Sequence, residues 1–146
     1  MADVITVVTI DDDPSIRSLL RILFGQAEGF ELVGEAGDGS SETLDLVGLV
    51  QPDIVLLDLD MPVSNGYRTL PELFRAAPKA MVLVLSVLPA DDDVETLFRA
   101  GAFAYLEKST LGRDFCDHLR DLYQLFVRAM AGETVWTPSG PERVRH

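Results

Sequence analysis

The chain has 146 residues, of which 47% are hydrophobic and 25% are charged, a composition typical of one globular domain with one core. Its net charge of −12 argues against a nucleic-acid-binding surface, because such surfaces cluster Lys and Arg. No apolar run approaches the ~20 residues of a membrane span. The N-terminal stretch lacks the basic segment of a signal peptide, and the single Cys116 excludes an internal disulfide. We therefore expect a cytoplasmic protein that contacts neither nucleic acid nor membrane directly.

The first half of the chain alternates apolar and amphipathic stretches. A strand is predicted at Val4–Ile10, followed by a helix over Pro14–Gln26, because apolar residues recur there at helical spacing. Asp13 before Pro14 is typical of a helix cap with proline in the first turn. A second strand is predicted near Phe30–Ala36. A second helix is predicted near Ser41–Val50.

Three further strand–helix pairs are predicted in the second half. The strands are Asp53–Leu57, Ala80–Leu85 and Ala102–Leu106. The helices are one with Leu70, Leu73, Phe74 and Ala77 on one face, one near Asp91–Ala100, and one from about Thr110 to Ala131 with Phe115, Leu119, Leu122 and Phe126 as its inner stripe. Five such units predict an α/β fold whose parallel sheet is covered on both faces. We expect one domain over residues 1–131 and a poorly ordered, linker-like tail over residues 132–146.

Polar side chains follow four of the predicted strands. They are Asp11 and Asp12, Asp58, Ser86 and Lys108, and in an open sheet of order 2-1-3-4-5 they border one crevice. Three carboxylates repel each other, so we expect the lysine and a bound Mg²⁺ or Mn²⁺ to balance them. A carboxylate in that setting can attack phosphorus and form an aspartyl phosphate.

These residues lie in stretches that resemble the response-regulator receiver family over about Val4 to Met130. The stretches are Ile10-Asp11-Asp12-Asp13-Pro14, Leu56-Leu57-Asp58-Leu59-Asp60-Met61-Pro62 with Gly66 further on, Val82-Leu83-Val84-Leu85-Ser86 and Gly101-Ala102-Phe103-Ala104-Tyr105-Leu106-Glu107-Lys108. The resemblance implies a flavodoxin-like, doubly wound (βα)5 fold of strand order 2-1-3-4-5. It also implies a phosphoacceptor of a two-component signalling system, whose partner is a sensor histidine kinase.

The resemblance assigns roles to the acidic residues. It implies that Asp58 accepts the phosphoryl group, that Asp12 binds the metal directly and that Asp11 does so through water. The backbone carbonyl of Asp60 is implied as the last protein ligand. Such a receiver is not an enzyme, apart from catalysing its own phosphorylation and dephosphorylation.

The resemblance also implies a conformational switch. Ser86 would be the switch hydroxyl, Lys108 would contact the phosphate, and Tyr105 would reorient on a face that a partner can read. A homodimer could form through helix 4, strand 5 and helix 5, where Cys116 and Tyr123 are expected outside the core stripe.

Three residues depart from the family pattern. Ser109 stands where many receivers have a proline that follows the lysine. Val87 stands where a small residue usually follows the switch hydroxyl, and its bulk is expected to narrow access to the phosphoryl group. Asp60 adds a carboxylate that could change the rate of dephosphorylation.

The stretch from Phe126 to Pro138 resembles the junction with a helix-turn-helix output domain in transcription regulators. The sequence is therefore expected to be either a receiver cut from a longer regulator or a stand-alone receiver.

Other classes remain as alternatives. The motif Asp58-Leu59-Asp60 resembles the Asp-x-Asp of haloacid-dehalogenase-like phosphatases, although here it follows the third predicted strand rather than the first. A receiver-like interaction module that is never phosphorylated is a second alternative. An FMN carrier of similar fold is a third, but no hydroxyl-rich phosphate loop follows the first strand. Steady turnover of a phosphomonoester would favour the phosphatase, whereas a single stoichiometric phosphorylation would favour the receiver.

Overall fold

A computed structural model of the chain describes residues 4–59, 66–87, 94–132, 135–137 and 140–142. Five strands form one parallel sheet, and they are β1 Ile5–Ile10, β2 Phe30–Ala36, β3 Ile54–Asp58, β4 Met81–Ser86 and β5 Ala104–Glu107. Their order in the sheet is β2-β1-β3-β4-β5. The predicted flavodoxin-like strand order 2-1-3-4-5 is confirmed.

Five α-helices connect and follow the strands. They are α1 Pro14–Gln26, α2 Ser41–Val50, α3 Gly66–Ala76, α4 Val94–Arg99 and α5 Phe115–Met130. The Asp13 carboxylate accepts a 2.8 Å hydrogen bond from the backbone N–H of Ser15, which confirms Asp13 as the cap of α1. The start predicted for helix 4, Asp91, lies outside the described residues.

The last helix begins later than its apolar periodicity predicted. It begins at Phe115 rather than near Thr110, because Lys108–Thr110 form a 3₁₀ turn directly after β5. The hydroxyl of Thr110 donates to the carbonyl of Glu107 at 2.7 Å, and the N–H of Leu111 donates to the carbonyl of Lys108 at 3.1 Å. This turn holds Lys108 at the end of the sheet.

Two apolar clusters cover the two faces of the sheet. One face packs against α2, α3 and α4 through residues such as Val47, Leu73 and Leu97. The other packs against α1 and α5 through residues such as Leu20 and Leu119. Within the described ranges, no helix is long and apolar enough to cross a membrane. Beyond α5, strands β6 Val135–Thr137 and β7 Gly140–Glu142 pair antiparallel in the tail segment.

The prediction that Cys116 and Tyr123 lie on the exposed side of helix 5 is wrong. Cys116 is 7% exposed and its thiol donates to the carbonyl of Leu23 on α1 at 3.6 Å. Tyr123 is half-buried, and burial together with the charge and hydrogen bond of Asp53 raises the pKa of its phenol to about 12. The exposed large apolar residues described on this helix are Val127 and Met130.

Asp53 links β1 and β3 at the amino-terminal end of the sheet. Its carboxylate accepts hydrogen bonds from the N–H and the hydroxyl of Thr6 at 2.9 and 3.1 Å. The Thr6 hydroxyl oxygen also accepts a bond from the Asp53 N–H at 3.0 Å. Asp53 and Thr6 thus each donate hydrogen bonds to the other and accept bonds from it.

Thr9 and Thr6 provide a matched pair for a stability test. The Thr9 hydroxyl is fully buried and has no hydrogen-bond partner in the described structure, and an unpaired buried hydroxyl costs roughly 1–3 kcal/mol. We expect Thr9→Val to raise the free energy of unfolding by about 1 kcal/mol. Thr6→Val loses bonds to Asp53 and should lower it by about as much. Urea denaturation of both variants measures the effects, and a loss of stability in Thr9→Val would show that its hydroxyl is satisfied.

Candidate functional site

Three carboxylates meet at the carboxyl end of the sheet. Asp11 and Asp12 follow β1, and Asp58 is the last residue of β3. Ile10 pairs with Leu57 across these two strands, so the aspartates that follow lie at neighbouring strand ends. One carboxylate oxygen of each lies within 4.8 Å of the others. Asp11 and Asp58 are each 2% exposed, whereas Asp12 is exposed. The predicted convergence of these side chains is therefore what the structure shows.

Lys108 lies between the two buried carboxylates. Its ammonium nitrogen is 2.9 Å from Asp11 Oδ2 and 3.3 Å from Asp58 Oδ1. Burial opposes the charged form, but the hydrogen bond and charge of Asp11, followed by those of Asp58, raise the pKa of this ammonium above its ordinary value. The ammonium therefore remains charged at neutral pH, and its contribution to the ion pairs is lost as the pH rises through that raised pKa.

The loop between β1 and α1 is held by hydrogen bonds within the loop and to β2 and α1. Asp11 Oδ1 accepts a 2.9 Å bond from the N–H of Asp13, so both oxygens of Asp11 are engaged. The Asp11 N–H donates to the carbonyl of Ala36 at 2.9 Å. In addition, the guanidinium of Arg17 on α1 donates to the carbonyl of Asp11 at 2.5 Å. The sequence reasoning missed Arg17, because a bond to a backbone carbonyl leaves no signature in the pattern of side chains.

The residues predicted to switch lie on β4 and β5. Ser86 is fully buried at the end of β4, where Leu85 pairs with Asp58 on one side and Ser86 pairs with Glu107 on the other. Tyr105 is 9% exposed and packs in the cluster that includes Phe98 of α4. The expectation that Tyr105 lies on a face open to a partner is wrong for this conformation.

The positions that depart from the family pattern have different surroundings. Val87 is 67% exposed. Ser109 lies in the 3₁₀ turn, and its hydroxyl donates to the Glu107 carboxylate at 3.3 Å. Asp60, predicted as a carbonyl ligand and as an extra carboxylate, lies outside the described residues.

The donor set suits a hard divalent cation. Three negative charges face one ammonium, so a net charge of about −2 is left for a cation to balance. All the clustered donors are carboxylate oxygens, which Mg²⁺ prefers, and the exposed Asp12 leaves room for the waters that Mg²⁺ retains. The residues present therefore fit such an ion.

The family model described as "Response regulator receiver domain" matches residues 7–120. The chain therefore belongs to the response regulator receiver domain family, the phosphorylation module of two-component systems. Receiver domains of this family bind Mg²⁺ in an acidic pocket, and the three aspartates form such a pocket here.

Individual relatives agree with the family assignment. The nitrate/nitrite response regulator protein NarL of Escherichia coli (strain K12) is 36% identical over 130 residues, which are 89% of this chain and 56% of that protein. NarP of the same strain is 40% identical over 104 residues, 71% of this chain and 48% of that protein. The chain thus spans about half the length of these relatives.

A solved structure agrees as well. The signal receiver domain of the response regulator NarL from Mycobacterium tuberculosis aligns with a TM-score of 0.74 at 26% identity. The alignment covers 84% of this chain and 98% of that one.

The charge imbalance leads to a stability prediction. Asp12→Asn removes one of three repelling charges, so we expect its melting temperature without divalent ions to exceed that of the wild type by a few degrees. Mg²⁺ should raise the melting temperature of the wild type and have a smaller effect on the variant. Differential scanning calorimetry with EDTA or MgCl₂ measures both.

Asp13→Asn is the matched control for this experiment. It removes the adjacent exposed carboxylate but keeps a good capping side chain, so its response to Mg²⁺ should match that of the wild type. Equal responses of Asp12→Asn and the wild type would exclude Asp12 as a metal ligand.

Proposed function

We propose that this receiver takes a phosphoryl group from a sensor histidine kinase onto Asp58 and thereby changes the surface it offers to its partners. The observation that carries the proposal is the position of the Asp58 carboxylate. It is buried at the end of β3, 3.3 Å from the Lys108 ammonium and within the three-carboxylate cluster.

We assign the metal site to the same cluster. Asp11, Asp12 and Asp58 would hold Mg²⁺ or Mn²⁺, and the backbone carbonyl of Asp60 is a further proposed ligand. The ion, when bound, supplies positive charge to the carboxylates and to the oxygens of an arriving phosphoryl group.

The side chains of the chain itself carry the transfer. An Asp58 oxygen forms a bond to phosphorus while the phosphorus–nitrogen bond to the kinase histidine breaks, and the product is an acyl phosphate. Lys108 neutralises part of the charge on the transferring group. The Ser86 hydroxyl, at the end of the neighbouring strand, would donate a hydrogen bond to a phosphoryl oxygen.

The proposed conformational change begins at Ser86 and extends to Tyr105. Phosphorylation adds negative charge and acceptor oxygens at the end of β3, which would draw Ser86 and the following Val87 toward it. Tyr105 belongs to the same buried cluster as Phe98 of α4, so a shift of its ring would alter the α4–β5–α5 surface. This surface is the proposed site of a partner or a homodimer.

The proposed setting is transcription regulation. NarL and NarP of Escherichia coli are response regulators, and this chain matches about half of each. We propose that residues 1–131 are the receiver and that the segment from residue 132 corresponds to the linker toward an output domain that binds DNA.

Phosphorylation at Asp58 can be tested directly. Treatment of the wild type with acetyl phosphate and MgCl₂ should add the mass of one phosphate, and Asp58→Asn should remain unmodified because its amide cannot form the acyl phosphate. Intact-protein mass spectrometry measures the product. Asp13→Asn serves as a control that should be modified like the wild type. Equal labelling of Asp58→Asn would assign the phosphate to another residue, and full labelling in EDTA would contradict a need for the metal.

Beryllofluoride, which mimics the phosphoryl group on Asp58, tests the switch. We expect amide NMR shifts at Ser86, Tyr105 and along α4, because the added charge should move the end of β4. Sedimentation velocity should show whether dimers form. Shift changes confined to the Asp58 pocket would show that the signal does not reach Tyr105.

A further inference from the structure

Arg17 occupies an unfavourable position for a cation. It lies in the first turn of α1, where its N–H donates to the carbonyl of the capping Asp13 at 3.1 Å. The amino end of a helix carries partial positive charge, which disfavours cations by a few tenths of a kcal/mol or more. The helix end by itself therefore does not favour an arginine here, and the side chain makes a specific contact.

That contact is with the loop between β1 and α1. Side chains of a helix lean toward its amino end, so the half-buried Arg17 side chain reaches back over this loop. Its Nη1 donates to the carbonyl of Asp11 at 2.5 Å. The same nitrogen lies beside Gly37, where an added Cβ would come within 3.5 Å of it. The guanidinium thus lies against the loops that follow β1 and β2.

Asp12 depends on its backbone for its orientation. In the part of the chain that the structure describes, no hydrogen bond or ion pair holds the exposed Asp12 side chain. The two peptide groups that flank Asp12 are held, however. The carbonyl of Asp11 is bound by Arg17, and the N–H of Asp13 is bound by Asp11 Oδ1. Together these bonds hold the backbone on both sides of Asp12, and with it the direction of its Cα–Cβ bond.

We propose that Arg17 is a positioning residue for the metal site, acting through the Asp11–Asp12 peptide group rather than by contact with the metal or the phosphate. This inference rests on the proposed function, because it assigns Arg17 a part in preparing Asp12 for the divalent cation. Partners that orient metal ligands typically change metal affinity by about 10–100-fold when they are removed.

Removal of Arg17 has two opposite effects on the affinity for Mg²⁺, one through its charge and one through its hydrogen bond. Arg17 is a positive charge near three carboxylates, so its removal would tighten the binding of Mg²⁺ if charge alone mattered. Loss of the bond to the Asp11 carbonyl would instead weaken binding, because Asp12 would sample other directions. The sign of the change in affinity therefore separates the two effects.

Arg21 provides a matched control. It lies one turn further along the same helix. Its guanidinium forms a bidentate ion pair with Glu35 of β2, with N···O distances of 3.0 and 2.8 Å. Its removal changes the net charge as much as removal of Arg17 does. It does not touch the loop after β1.

The experiment titrates MgCl₂ alone into ¹⁵N-labelled wild type, Arg17→Met, Arg17→Lys and Arg21→Met, and follows the amide shifts of residues 11–13 and 58. We expect the Kd for Mg²⁺ to rise about tenfold in Arg17→Met and to remain near the wild-type value in Arg21→Met. Arg17→Lys, which keeps the charge and one donor, should lie between. In acetyl phosphate assays the Arg17→Met defect should shrink at saturating Mg²⁺.

Unchanged or tighter Mg²⁺ binding in Arg17→Met would overturn the inference. If that variant does not fold, Arg17→Lys decides: weaker binding than the wild type supports the inference and equal binding overturns it. If the proposed function were wrong, the result would differ, because the wild type itself would neither bind Mg²⁺ nor gain a phosphate.

Discussion

The pairing of the Lys108 ammonium group with two buried carboxylates is the constraint on which the site depends. Asp11 and Asp58 lie at adjacent strand ends with side chains 3% and 2% exposed, and a buried ion costs several kcal/mol unless it is paired. Lys108 pairs with both. To reach them it must lie directly at the end of β5, so the chain makes a 3₁₀ turn there. The final helix consequently begins only at Phe115.

The aspartates at the two ends of β3 serve different purposes. Asp53, just before the strand, has one carboxylate oxygen and its N–H bonded to Thr6, and it contributes a bond to Tyr123. Asp58, at the other end, lies in a cluster whose negative charge exceeds its positive charge. Clusters of interacting charged groups of this kind mark candidate functional sites. The difference fits a structural role for the first residue and a chemical role for the second.

The sequence reasoning failed where neighbours in space decide exposure. Helical periodicity identified Phe115, Leu119 and Leu122 as the inner stripe of α5, and all three are buried. It did not show that α1 lies close enough to bury Cys116, or that the Tyr123 phenol meets Asp53. Arg17 went unrecognised because its partner is a backbone carbonyl, which has no signature in the pattern of side chains.

What the sequence determined by itself was the alternation of strands and helices, the parallel sheet and the residues at the strand ends. These follow from local periodicity and from the rule that ligands bind at the carboxyl ends of parallel strands. Only the tertiary structure decided which groups contact each other there. Lys108 comes close to Asp11, about a hundred residues away in sequence, because β1, β3, β4 and β5 are adjacent in the sheet. Distances between such groups depend on strand order and register, which no local pattern encodes.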